Sequence, residues 1–401
     1  MKAIAVIGKN FGDEGKGLVC ASFAKKEKIT LIVKHNGGGQ AGHTVEDESG
    51  KRFIHHQIGS GAEYGADTLL ADTFLVDLFQ LGNELEEFEA VYGFTPKIYV
   101  EKDTRITIID DVLRNMFIES ARGKERHGSC GMGINECINR HENGLVLTVA
   151  DVRDKSLKEL FDILVDFREK YGQRDLDSIC DLFECNNPGR RADYYDMLTN
   201  SDILANFAES IKETVKHIEI IDASSDFLLG YKQVVFETGQ GLLLDNDYKK
   251  FAPYLTPSKT GLRNIASFLD ERNLKLDRAV YVTRSYVTRH GNGPLPGECD
   301  REEFPGVTND LTNIDNEWQG SIRYAKHQDI EDFVLPVKED YRSVGQFRSV
   351  KETELSIIIT HLNETDGFIY FKDEEIPFDK LKDILKTKYG FSAVYGLWDR
   401  C

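Results

Sequence analysis

Two rhythms of apolar and polar positions run along this chain. Short β-branched apolar runs recur at Ala3–Gly8, Thr30–Lys34, Lys97–Glu101, Gln233–Glu237, Ala279–Thr283 and Ser356–Thr360. Unbroken apolar runs of this length predict strands buried on both faces. Between them, apolar residues at helical spacing predict helices over Gly15–Lys25, Thr73–Glu89, Asp154–Tyr171, Asp202–Ile221, Gly261–Glu271 and Phe378–Lys388. Strands alternating with helices predict an α/β fold, with a mostly parallel central sheet and helices on both faces. No repeat and no Pro- or Ser-rich linker divides the sequence. Residues 1–401 therefore read as a single domain with a mainly helical insertion near 105–230.

Composition narrows the partners. The chain is 40% hydrophobic and 29% charged, a globular balance. It carries 68 acidic and 50 basic residues, a formal net charge of −18. That balance argues against a nucleic-acid partner, which needs a basic face. A single nucleotide is still compatible, because a few amides and cations hold one phosphate group. The first apolar run is too short for a signal segment, and no later stretch reaches membrane length, so no membrane partner is expected. Seven scattered cysteines (Cys20, Cys130, Cys137, Cys180, Cys185, Cys299 and Cys401) are odd in number, and no histidine lies at zinc-finger spacing from Cys180 and Cys185. They read as reduced thiols in a reducing compartment.

Two glycine-rich loops carry the candidate chemistry. After the first strand comes Gly8-Lys-Asn-Phe-Gly12-Asp13-Glu14-Gly15-Lys16-Gly17, then a helix. Glycines let the backbone approach an anion, and a helix start supplies free N–H groups. Lys16 adds a point charge. Gly17 stands where a Walker A loop needs Ser or Thr, so this is a different phosphate loop. A tight turn with an incidental lysine is the plainer alternative. After the second strand comes Asn36-Gly-Gly-Gly-Gln40-Ala-Gly42-His43-Thr44. Both loops would lie at the carboxyl ends of neighbouring strands, where α/β sheets bind ligands. There His43 could act as an acid or donor toward a phosphoryl group.

Six ordered blocks resemble the adenylosuccinate synthetase family. The two loops are similar to its GDEGKG and GGxNAGHT signatures. Gly128-Ser129-Cys130-Gly-Met-Gly-Ile with downstream Arg140 resembles GTTGRGIGP and its arginine. Phe236-Glu-Thr-Gly-Gln240-Gly-Leu-Leu-Leu-Asp245 resembles FEGAQGxLLD, Tyr254-Leu-Thr256-Pro-Ser resembles YPYVTSS, and Thr288-Arg-His-Gly-Asn-Gly-Pro-Leu-Pro resembles STRVGxGPFP. The resemblance implies a cytoplasmic, homodimeric ligase. Such an enzyme phosphorylates O6 of a 6-oxopurine nucleotide and then displaces that phosphate with the amine of L-aspartate. It implies catalytic roles for Asp13 (base at N1), His43 and Gln240. Mg²⁺ would be held by Asp13 and the Gly42 carbonyl, the hard oxygen donors that phosphoryl transfer needs. Gly12, Gly15, Lys16, Gly17, Gly42 and Thr44 would hold the triphosphate donor. Gln40, Ser129, Cys130 and Thr256 would hold the purine nucleotide, with Arg140 reaching across a two-fold dimer interface.

Three departures from the pattern leave alternatives open. The family's arginine-rich aspartate loop, TTGRRRR, is replaced by residues 307–323, where only Arg301 and Arg323 remain nearby. Arg323 is then expected to pair with one aspartate carboxylate, and Thr308 and Thr312 to help hold the other. Asn363 replaces the aspartate that reads guanine. An amide suits adenine, so ATP could replace GTP as donor, unless Asp366 or the backbone reads guanine instead. Gly396, in Val394-Tyr-Gly-Leu, would close the base pocket. Gln40 and Cys130 replace an asparagine and a threonine, which raises dGMP as acceptor, as in phage-type succinoaminodeoxyadenylate synthases. Retained Asp13 favours IMP. A non-catalytic purine-nucleotide sensor is the alternative of another class.

Overall fold

A computed structural model describes residues 1–126, 128–304, 306–307 and 320–398. Its centre is a nine-stranded sheet in which every strand pairing is parallel. In chain order the strands are β1 (Lys2–Gly8), β2 (Thr30–Lys34), β3 (Asp67–Leu70), β4 (Ile98–Glu101), β5 (Glu219–Ile221), β6 (Gln233–Gly241), β7 (Arg278–Arg284), β8 (Glu354–Thr360) and β9 (Ala393–Gly396). In space they run β9-β8-β7-β1-β6-β2-β3-β4-β5.

The sheet is covered on both sides, and the period-2 geometry of a strand shows it directly. Ala3, Ala5 and Ile7 of β1 join Val234 and Phe236 of β6 in a core with helices Arg263–Glu271, Ile330–Ser343 and Phe378–Thr387. The intervening Ile4 and Val6 join Ile32, Val235 and Val280 against helix Lys16–Lys26. Continuous apolar sequence is what a doubly covered strand requires. Helix Leu78–Tyr92 buries Leu78, Leu81, Leu85 and Phe88, one stripe at helical spacing, toward helix Ser201–Thr214.

The expected strands are all present, with ends shifted by one or two residues, β6 running on to Gly241. Helices fill most of 109–214, and they return to the sheet through the edge strand β5. The helix expected to reach Ile221 ends at Thr214, because the β-branched alternation after His217 forms β5 instead. The helix expected over Asp154–Tyr171 starts later, at Leu157 behind a capping box on Ser156, runs to Phe167 and continues as a π turn over Arg168–Gly172; a separate short helix, Val149–Asp154, precedes it.

Candidate active site

The loops that leave the carboxyl ends of β1, β2, β6, β7 and β8 converge on one cleft of about 1010 Å³. Asp13, His43 and Gln240 all line it, each from a different loop. This is the edge of a parallel sheet where ligands sit, and the register explains why. Gly8 of β1 pairs with Gly241 of β6, which brings the first glycine loop beside the Gln240 turn.

In the first loop Asp13 sits at φ 60°, a left-handed backbone that few non-glycine residues adopt. Its carboxylate lies 3.2 Å from His290 Nε2 and is about a quarter exposed. Burial pushes this carboxyl up, but the hydrogen bond and charge of His290, with the charges of Arg284 and Lys16, hold it below the usual range. Lys16 lies in the cleft wall, paired at 2.7 Å with buried Glu14. Glu14 also accepts the N–H groups of Asn10 and Gly12, both at 2.9 Å. Two of the loop's amides are thus taken by the Glu14 carboxylate. Gly17 explains the missing hydroxyl residue. A Cβ there would stand 2.7 Å from the His43 Cβ.

His43 opens a hairpin, His43–Glu46 with Arg52–His55. Its Nδ1 lies 2.5 Å from Glu237 Oε1 and its Nε2 3.1 Å from the Gly239 carbonyl. Both contacts are hydrogen bonds only when both ring nitrogens carry hydrogen. Glu237 is fully buried, accepts from Ser60 N and Oγ, and lies 3.1 Å from Lys34 Nζ. Burial pushes its carboxyl up, and the charges of Lys34 and His43 overcome this and hold it well below the usual range. Burial lowers the proton affinity of His43, and Glu237 opposes that. In E237Q the opposing charge is gone, so His43 should lose its proton at lower pH. We expect kcat to fall on the order of 10- to 100-fold, within the range a positioned acid contributes. The alkaline limb of the kcat profile should move to lower pH. An unchanged profile would show that Glu237 does not act through His43.

On the nucleotide side Gln40, Ser129, Cys130 and Thr256 line the cleft. Ser129 Oγ donates to Asn115 at 2.8 Å, and Thr256 Oγ1 lies 3.0 Å from Ser258 Oγ. Burial pushes the Cys130 thiol up. Gln240 takes hydrogen bonds on its oxygen from Asn36 and Ser258, while its buried Nε2 has no acceptor among the described residues. An orphaned donor in a cleft wall is a place for a ligand oxygen. Arg140 departs from its expected place. Its side chain is 0% exposed, bonds Asp111 through Nε at 3.0 Å and Nη2 at 2.9 Å, and donates to the carbonyls of Ile106 and Leu145. It braces the helical segment from inside and does not line the cleft.

Gly12, Gly15, Gly17, Gly42, Thr44 and Asn363 line the cleft as expected. Gly396 does not. A Cβ there would meet Leu362 Cδ1 at 2.5 Å, so it packs behind the Asn363 turn. Arg323 also lies off the wall, paired with Glu298 at 2.9 Å and donating to the Gly293 carbonyl. Thr308 and Thr312 fall outside the described residues. Unforeseen groups are Glu14, Lys34, Glu237, Arg284, Arg289 and His290. His290 carried a visible signal, since it stands where the resembled motif has valine. Glu14, Glu237 and Arg289 stand within the resembled blocks but only the fold shows their contacts, and Lys34 and Arg284 became visible only through the fold.

A profile of the family described as adenylosuccinate synthetase matches residues 5–322. The adenylosuccinate synthetase of Thermosipho africanus is 28% identical over 309 residues, 76% of this chain and 68% of the relative. That of Clostridium perfringens is 30% identical over 312 residues, 75% of this chain and 67% of the relative. Among solved structures, the fully ligated adenylosuccinate synthetase of Plasmodium falciparum aligns with a TM-score of 0.63 at 20% identity, covering 91% of this chain and 78% of that one. The cyanophage S-2L succinoaminodeoxyadenylate synthetase, bound to dGMP and to dATP as energy donor, aligns with a TM-score of 0.61 at 15% identity, covering 100% and 93%. At these identities the structural likeness concerns the fold.

Proposed function

The chain belongs to the adenylosuccinate synthetase family of carbon–nitrogen ligases, and from that premise we propose that it joins L-aspartate to a 6-oxopurine nucleotide, with IMP the favoured acceptor. The observation that carries the reading is the convergence of Asp13, His43 and Gln240 on one cleft lined by two glycine loops.

The steps follow from these groups. Asp13, ionised at neutral pH by its cationic neighbours, accepts the N1 proton. O6, now the stronger nucleophile, takes the γ-phosphoryl group of a nucleoside triphosphate and leaves a diphosphate. His43, held at Nδ1 by Glu237, turns its Nε2–H from the Gly239 carbonyl to the transferring group, and Gln240 Nε2 has a free N–H for O6. The amine of aspartate then attacks C6, and inorganic phosphate departs. Among the described residues no three His, Cys, Asp or Glu side chains cluster as a metal site. Mg²⁺ takes one or two carboxylates plus phosphate oxygens. Asp13 and the Gly42 carbonyl would hold it, and it would neutralise charge on the transferring phosphoryl group.

Donor identity turns on Asn363, an exposed side chain in the cleft rim, where an amide suits adenine. ATP therefore serves as donor in this reading. The phage enzyme of similar fold, solved with dATP and dGMP, keeps dGMP as the second reading for the acceptor. One experiment tests both. Pure protein with Mg²⁺ and L-aspartate is incubated with IMP or dGMP crossed with ATP or GTP, and products are identified by mass. We expect N6-(1,2-dicarboxyethyl)-AMP, in which the aspartate nitrogen has replaced O6 of IMP, together with ADP and inorganic phosphate. Consumption of GTP alone overturns the donor assignment. A product in which the aspartate nitrogen has replaced O6 of dGMP moves the acceptor. Binding without any product supports a nucleotide sensor.

A further inference from the structure

One cation in the cleft wall has no acid among the described residues. Arg289 ends the short strand Val287–Arg289 and lines the cleft, and its side chain is 2% exposed. Its Nη1 donates to the Pro294 carbonyl at 2.8 Å and its Nη2 to the Tyr254 carbonyl at 3.0 Å. Both acceptors are neutral. Its Nε–H is buried without an acceptor among the described residues. A guanidinium has five N–H donors, so most of its capacity remains unused.

Its surroundings add positive charge. Arg323 is its partner across the antiparallel strands Val287–Arg289 and Arg323–Ala325. Burial first, and the Arg323 charge second, lower the pKa of Arg289 to about 10. The guanidinium is seated firmly. The Phe11 ring centroid lies 4.5 Å from its Cζ, and a Cβ on Gly293 would stand 1.9 Å from its Nη2. A glycine at 293 is what leaves room for it. A buried cation beside a second cation is costly without an anion. A group held this way is completed when a negatively charged ligand arrives.

Two anions enter the proposed reaction here, phosphate and carboxylate. In the proposed reaction the first glycine loop and Lys16 face the phosphate groups. Arg289 instead sits beside Arg323, which follows the segment that stands where the family's aspartate loop lies. Resting on the reading of the cleft as an aspartate ligase, we propose that Arg289 is the principal cation for a carboxylate of the amine substrate, an α-amino dicarboxylate. Arg323, its cross-strand neighbour, adds positive charge.

The test compares R289Q, R289K and E298Q with the unaltered enzyme in steady-state ligation. Removing one partner of a buried charged pair should raise the KM for L-aspartate at least about 30-fold in R289Q. The KM values for both nucleotides should stay within about twofold of the unaltered enzyme. R289K, which keeps the charge, should recover part of the aspartate affinity. Glu298 is exposed and pairs with Arg323 at 2.9 Å, so E298Q keeps the fold and frees positive charge. It should lower the KM for aspartate by about twofold, the scale of an exposed pair. An unchanged aspartate KM in R289Q, or a rise confined to the nucleotides, overturns the assignment. If R289Q does not fold, an unchanged aspartate KM in E298Q overturns it. An unaltered enzyme that makes no product with aspartate sinks the ligase reading, and this assignment with it. Product from that enzyme with an unmoved KM in R289Q sinks the Arg289 assignment alone.

Discussion

Replacing Asp13 by asparagine should reduce kcat by about 10³-fold or more, because in the proposed mechanism the change removes the proton acceptor at N1 and the negative charge that would hold magnesium. Asparagine is the informative substitution. Asp13 holds φ 60°, a conformation that asparagine tolerates better than most residues. Its side-chain oxygen still accepts from His290, which lies 3.2 Å from the carboxylate. The loop should therefore keep its shape while the chemistry is lost. Calorimetry should find purine-nucleotide affinity within about tenfold of the unaltered protein, since one interaction of about 1 kcal/mol separates the two forms. A D13N protein that turns over within about tenfold of the original would remove Asp13 from the mechanism. A D13N protein that binds normally, beside an original that never turned over, would mark a sensor.

Replacing Arg140 by alanine should lower stability by about 3–5 kcal/mol, the cost of breaking a buried ion pair from one side. Arg140 is fully enclosed, and its guanidinium cation lies 5.3 Å from the Phe167 ring. Burial already pushes the Asp111 carboxyl up, and the charge of Arg140 does most to pull it back down. Without Arg140, Asp111 is left in a dry site with only backbone support, from the Ile108 N–H. The denaturant midpoint of R140A should fall, and D111A/R140A should recover part of the loss, because no charge is then stranded. An arginine that reached substrate across a dimer interface would behave oppositely. R140A would then keep its denaturant midpoint and lose nucleotide affinity. The unaltered midpoint is the result that would restore that role.

Much of the fold was legible because its central strands are buried on both faces. A run such as Ala3–Ile7 has no polar position to confuse its period, and its β-branched content favours a strand. Where the pattern failed, a local rule was overridden. Helix Ile330–Ser343 contains Pro336 and was not read as a helix, yet its apolar face packs on the sheet. Edge strand β5 was absorbed into the preceding helical pattern, because two neighbouring segments share a boundary that periodicity places poorly. For the site, residues inside glycine loops stood out, since glycine spacing reports where backbone approaches a ligand. Glu237 did not stand out, because a glutamate inside an apolar strand shows no partner until the strands are registered.

The sequence by itself determined the α/β class and the two glycine loops, because each depends on local periodicity or on spacing within a few residues, and its resemblance to the family singled out Asp13, His43 and Gln240, which line one cleft. Only the tertiary structure decided the pairings across long separations. Register places Glu237 beside Lys34, the hairpin turn brings His43 onto that carboxylate, and strand pairing sets Arg289 against Arg323. It also drew Arg140 inward to Asp111 and left Arg289 in the cleft wall without an acid among the described residues. Charges interact through space, over a few ångströms set by packing, and a linear sequence does not record those distances.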